Sequence, residues 1–357
     1  MKKLRQQFGG KVTKELETRY EQSENWKDGR FQNLEETEMD MSLGKLPGMI
    51  YKQLTKEEQK PKVSLPIVPF DKVAFTAASE KAKIVWYGHS VVLMNLGGKT
   101  ILIDPMFGSN TTPIAPFPNK RFSENSLSLV DQFPEIDLIV LTHDHYDHLD
   151  YDSIQKLKHK TKKYFVALGV KRHLIQWGVE ADLITEFDWW NDAMFEDIKI
   201  TFTPTRHFSG RGLSDRAKSL WGGWVFKTEN ENIWFSGDSG YGEHFKAVGE
   251  RLGPFDFAFM ECGQYNDDWR SIHMFPEESI RAAFDAGVRK AMPVHWGGFA
   301  LSYQHTWTDP AEEFVKSSED EGLSYMLPPI GKIFTISDTI QEKWWRSGYV
   351  DSATEQS

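Results

Sequence analysis

The chain runs to 357 residues, room for one large α/β core with an appended arm. Its 52 acidic against 42 basic residues leave a net charge of -10, which argues against DNA or RNA as the main ligand. No apolar run reaches the roughly 18 residues of a membrane-spanning helix, and the single cysteine, Cys262, excludes an internal disulfide and a thiolate metal site.

Met1 to Gln7 has the charge of a signal-peptide start without the apolar segment that should follow, so a cytoplasmic chain is expected, free or resting on a membrane surface. Residues 1–70 are polar and end in the Pro-rich stretch Lys60 to Pro69. They read as an extension, with Trp26, Phe31 and Tyr51 as candidates to staple it to the body; a wrapped arm and a partly disordered tail both fit. Residues 71–357 form the expected catalytic domain. Strands begin with Ile84 to Tyr87, Val91 to Met94 and Thr100 to Ile103, and Gly97-Gly98 between the last two signals a hairpin. Met106 to Phe122, with Phe107, Ile114, Ala115, Phe117 and Phe122 among prolines, is an apolar face or a lid. A buried strand is expected over Ile136 to Leu141 and a helix from near Asp150. Further strands are expected at Tyr164, Ile198, Trp224 and Ile233, with helices over Glu243 to Arg251 and Pro276 to Ala286. This order suits an α/β domain with two sheets inside and helices outside. Cys262 ends an apolar run and is expected to be buried and inert. His159, His173 and His244 lie in charged or amphipathic contexts and are expected at the surface; His305 is left unassigned.

Between the strand and the helix lies the densest signal, Thr142-His143-Asp144-His145-Tyr146-Asp147-His148. On such a loop His143 and His145 can converge on one metal while Asp147 and His148 turn toward a second, and imidazole with carboxylate suits zinc, iron or manganese. A merely solvated loop is the bland alternative. It is disfavoured because unpaired imidazoles and carboxylates packed at the end of a buried strand would desolvate and repel one another.

His143, His145, Asp147 and His148, in H-x-H-x-D-H spacing, resemble the signature of the metallo-β-lactamase superfamily. The resemblance implies a four-layer αββα sandwich and further ligands after later strands, here His207 in TPTRH, Asp238 in FSGDSG and His295 in MPVHWG. It implies two divalent metal ions, zinc first, with His143, His145 and His207 on one, Asp147, His148 and His295 on the other, and Asp238 shared. Asp238 and Asp147 would then serve catalysis by a metal-bridging hydroxide. Flavin-partnered di-iron relatives carry Glu where this chain has His145, which favours hydrolysis over oxygen chemistry. Asp104 and His89 also recur near the metals of that superfamily. Asp104 is expected to accept a proton from a ligand imidazole, and His89 either lines the pocket or holds a turn.

Several stretches between Ile84 and His305 resemble the branch that contains N-acylphosphatidylethanolamine-hydrolysing phospholipase D. They include DPMF from Asp104, HFSGR from His207, GDSGY from Gly237, GPFD from Gly253 and HWGGFAL from His295. This likeness implies a phosphodiesterase acting on a small or lipid-like phosphodiester, with Tyr146 and His273 on the substrate. Arg211 or Arg216 could meet phosphate, although pairing with Asp215 or the C-terminal acids is the duller role. The acidic balance gives no global attraction to anionic bilayers. A lactonase of the same superfamily, acting on a sugar or sugar-phosphate lactone, is the runner-up; a non-enzymatic metal-binding protein is a remote third. Peripheral membrane contact and self-association stay open.

Overall fold

The computed structural model describes residues 6–37, 58–112, 119–212 and 214–346. Tyr51, Ile114, Ala115 and Phe117 therefore lie outside the described residues. In the arm, Thr13 caps the helix Lys14–Tyr20, and strands β1 (Trp26–Lys27) and β2 (Arg30–Phe31) pair antiparallel. Tyr20, Trp26 and Phe31 pack with ring centroids 4.9 to 5.5 Å apart. All three are buried, so this part of the arm is wrapped onto the body.

The apolar runs after Lys83 become strands because β-branched and aromatic side chains fill both faces of a covered sheet. Strands β3 (Lys83–Trp86), β4 (Val92–Leu96) and β5 (Lys99–Ile103) pair antiparallel, turning at Gly97 and Gly98, both at positive φ. Strands β6 (Leu138–Leu141), β7 (Tyr164–Ala167) and β8 (Ile184–Phe187) continue the sheet in parallel. A second sheet repeats this plan. Strands β9 (Asp192–Phe195), β10 (Ile198–Thr203), β11 (Gly223–Lys227) and β12 (Asn232–Phe235) are antiparallel. Strands β13 (Phe257–Glu261), β14 (Lys290–Val294) and β15 (Ser324–Tyr325) follow in parallel. A last strand, β16 (Ile333–Phe334), returns to pair with β3, giving each sheet seven strands.

The sheets face one another through ring contacts such as Phe187 to Trp224 at 5.2 Å and Phe257 to Phe334 at 6.3 Å. Helices Tyr151–Leu157 and Lys171–Gln176 follow strands of the first sheet, and helices His244–Leu252, Pro276–Asp285 and Asp309–Glu321 follow strands of the second. The result is the αββα sandwich.

Two expectations change. His173 and His244 are buried, because helix periodicity cannot see the arm and the loop that cover them. His173 Nδ1 accepts the Gly10 N–H at 3.1 Å, while His244 Nε2 meets Ser239 Oγ at 3.0 Å. Met106, Phe107 and Phe122 are also buried, so the described part of that stretch offers no apolar face to solvent. Phe107 instead packs against Tyr87 and Phe133. His159 is exposed and Cys262 is buried, as expected. His305 stacks on Tyr265 at 4.3 Å.

Candidate metal centre

Every predicted ligand sits just past the C-terminal end of a strand, where the ladder stops and the chain is free to turn a side chain inward. His143 to His148 follow β6, His207 follows β10, Asp238 follows β12 and His295 follows β14. The backbones there are closely packed. A Cβ on Gly237 would lie 2.4 Å from the Gly222 carbonyl, and one on Gly263 would lie 1.7 Å from the carbonyl of His295. Only glycine fits at either position.

The seven donors meet in two groups. In the first, His145 Nδ1 lies 2.8 Å from His143 Nε2 and 3.2 Å from His207 Nε2. In the second, Asp147 Oδ2 lies 3.4 Å from His148 Nε2 and 3.3 Å from His295 Nε2. Asp238 joins them. Its Oδ2 is 3.0 and 3.1 Å from His148 and His295, and 3.9 and 3.8 Å from His143 and His207.

Hydrogen bonds on the far side of each ring decide what those nitrogens offer. Thr142 Oγ gives its proton to Asp104 Oδ2 at 2.6 Å, so it accepts from His143 Nδ1 at 2.9 Å. His148 Nδ1 donates to Asp104 at 2.8 Å, His207 Nδ1 to the Ile272 carbonyl at 3.2 Å, and His295 Nδ1 to Glu261 Oε1 at 3.2 Å. Each partner can only accept, so Nδ1 carries a proton in all four rings and Nε2 is the nitrogen left to face the cluster. The Nε2 of His148 is buried, with Asp238 Oδ2 at 3.0 Å. Donors gathered this closely need a positive charge between them, a proton or a metal ion, and a tetrahedral ion at roughly 2.1 Å needs donor separations of about 3.4 Å. The donor set therefore fits metal ions.

The electrostatics agree. Burial, reinforced by neighbouring imidazoles, holds His143 and His207 well below the ordinary histidine value and His145 down at about 4. These three imidazoles are neutral at physiological pH. Burial pushes Asp147 and Asp238 upward, but the imidazoles beside them outweigh it and keep both carboxylates well below their usual range. In the second group burial also pulls His148 and His295 down, yet Asp238 and Asp147 lift His148 well up and His295 to about 9. The same carboxylates would favour a cation in place of those protons.

The remaining predicted residues fall around this cluster. Asp104 orients two ligands, His148 directly and His143 through Thr142. His89 meets Asp147 Oδ2 at 2.8 Å, while its backbone forms a bridge to Trp296, so it holds both a ligand and a turn. His273 stacks on His295 at 5.1 Å, and one of its nitrogens lies within 4.8 Å of donor atoms of His207 and Asp238. Tyr146 turns elsewhere. Its hydroxyl donates to the Arg211 carbonyl at 2.6 Å and its ring lies under the Arg211 guanidinium. That guanidinium takes the carbonyls of Asp144, Leu149 and Gln7, so Arg211 braces the metal loop from behind. Its backbone N–H, not its charge, meets Asp215. Arg216 lies over the Phe208 ring.

Two buried carboxylates escape the sequence reading. Glu261, at the end of β13, accepts from Nδ1 of both His273 and His295 and from the Met274 N–H. A charged residue closing a buried apolar run was the available signal. Asp144, inside the motif, accepts from His173, Ser219 Oγ and the Gly210 N–H.

The comparisons with known proteins bear on the family. The family model described as a beta-lactamase superfamily domain matches residues 99–296. An uncharacterised protein of Mycobacterium tuberculosis is 34% identical over 331 residues, covering 91% of this chain and 88% of its own. N-acyl-phosphatidylethanolamine-hydrolyzing phospholipase D 1 of Caenorhabditis elegans is 32% identical over 269 residues, 71% of this chain and 75% of its own. Among solved structures, a metallo hydrolase of Ignicoccus hospitalis is 20% identical with a TM-score of 0.56, covering 71% of this chain and 98% of its own. The chain belongs to the metallo-β-lactamase superfamily of metal-dependent hydrolases.

Proposed function

We propose that this centre binds two divalent metal ions, zinc in the first instance, and hydrolyses a phosphodiester on a small or lipid-like substrate. The observation that carries the reading is the placement of Asp238 Oδ2 between two donor groups, 3.0 to 3.9 Å from four imidazole nitrogens. These residues would hold the cations, which when bound would lower the pKa of a water and offset charge growing on phosphoryl oxygens. The phosphodiester assignment rests on the likeness to the nematode phospholipase D.

The chain's own residues supply the rest. His273 donates its Nδ1 proton to Glu261, which leaves Nε2 toward the cluster beside His207. There it can pass a proton to the departing alcohol as water adds to phosphorus and the P–O bond to that alcohol breaks, and it regains the proton that the water gives up. Asp104 and Glu261 keep the ligand rings in one tautomer throughout. Among the described residues, no helix is long and apolar enough to cross a membrane. A lipid substrate would therefore be met at a surface.

A panel on the metal-replete protein tests this: an N-acylated phosphatidylethanolamine in mixed micelles, an aryl phosphodiester and a sugar-phosphate lactone. Release of alcohol and phosphomonoester from the first two is expected. Turnover of the lactone alone would contradict the proposal and favour the lactonase reading.

A further inference from the structure

We infer that Asn33, in the N-terminal arm, is a positioning residue of the metal centre, holding the backbone of His207 in place from outside both sheets. The inference rests on the reading of His207 as a metal ligand. Asn33 Nδ2 donates to the His207 carbonyl at 2.8 Å, and Asn33 Oδ1 accepts the His207 N–H at 3.1 Å. The same oxygen accepts Trp221 Nε1 at 3.0 Å. Both polar groups of the ligand's main chain are thus taken by one side chain, 174 residues away in sequence. A flipped amide would set N–H against N–H and carbonyl against carbonyl, so these contacts admit one orientation.

His207 needs such a hold because it lies beyond the end of β10, on irregular chain. Its ring is tied through Nδ1 to the Ile272 carbonyl, and its main chain through Asn33, so the direction of Nε2 is fixed from both ends. The next residues of the arm act alongside. Arg206, the neighbour of His207, reaches Thr37 Oγ at 3.1 Å and the Glu36 carbonyl at 2.6 Å. Glu35 accepts the Glu243 N–H at 2.8 Å, on the loop that follows Asp238. Asn33 is one of several holds of the arm on the body. The others include the bond from the Phe31 N–H to the Ala217 carbonyl, Lys218 over the Trp26 ring, Asn25 on Asp188 and the Arg211 guanidinium on the Gln7 carbonyl. A change at Asn33 should therefore loosen the ligand without releasing the arm.

Cobalt titration of the full-length, metal-stripped protein against a competing chelator reads this directly, because the visible spectrum reports ligand geometry. The wild type is expected to take up two equivalents. Asn33→Ala should weaken one of them about 10- to 100-fold and alter its absorption bands, leaving the other equivalent unchanged. Asn33→Asp, which keeps the acceptor for the His207 N–H and Trp221 but loses the donor, should fall between. Gln32→Ala, whose amide reaches only the Lys27 carbonyl, should match the wild type. An Asn33→Ala protein with wild-type affinities and bands overturns the inference. So does loss of both equivalents together with a lower melting temperature of the metal-free protein, which would mark Asn33 as general packing. Less than one equivalent in the wild type would instead overturn the reading of the centre beneath it.

Discussion

Buried carboxylates stand behind the candidate ligands and hold their rings. Glu261 Oε1 accepts from two imidazoles, one on a proposed metal ligand and one facing the proposed substrate, while Oε2 accepts the Met274 N–H. A glutamine offers one oxygen and one amide, so either orientation sets a donor against a donor. Glu261→Gln is expected to lower metal affinity or kcat/KM about 10- to 100-fold while the protein stays folded; kinetics at saturating metal separate the two effects, and unchanged values would remove Glu261 from the centre. Asp144 offers a different test. Burial pushes it upward, but His173, Arg172 and Ser219 hold it well below 3.8. Its folded value is depressed, so its stabilisation is complete above pH 3.8 and fades as pH falls through the folded value. Asp144→Asn leaves the buried Arg172 with only the more distant Asp215 at 3.9 Å among the ion pairs of the described residues, and should cost about 3 kcal/mol in urea unfolding near neutral pH. The gap to the wild type should narrow in acid. A pH-independent gap would mean that charge is not what Asp144 contributes.

At the level of elements, the strands carry the site and their ends present it. Gly263 follows β13 so closely against His295 that a methyl group would meet its carbonyl at 1.7 Å. Gly263→Ala should therefore cost about 1 to 3 kcal/mol and reduce metal occupancy in the His295 half; full occupancy in a folded variant would show that the strand ends can separate without harm. This is also the scale at which the sequence was most readable. β3 to β6 announce themselves because both faces are covered and the runs are almost wholly apolar, and the candidate ligands stand out because imidazoles and acids end such runs. β9 is half exposed and lacks that contrast, so it went unread. The arm's grip escaped for another reason. It works through the carbonyls of Gln6 and Gln7, the N–H of Gly10 and one asparagine amide, none of which leaves a periodic trace. His173 was misplaced for that same reason, being covered by the arm it binds.

Across the whole molecule, the two sheets repeat one strand order, three antiparallel pairings followed by three parallel ones. Asp104 after β5 thus corresponds to Asp238 after β12, and His89 after β3 to His207 after β10. The centre lies on the seam, taking His143 to His148 from one sheet and His207, Asp238 and His295 from the other. Metal should accordingly hold the halves together. Metal at about 100 times its Kd is expected to add roughly 2.7 kcal/mol to unfolding, so chelation should lower the melting temperature and zinc restore it. Identical melting curves would separate the centre from the stability of the fold. The central claim, two metal ions on seven side chains, is tested most directly by elemental analysis of the full-length protein purified without chelators and reconstituted with zinc. The account predicts close to two equivalents of transition metal per chain; less than one equivalent would contradict it.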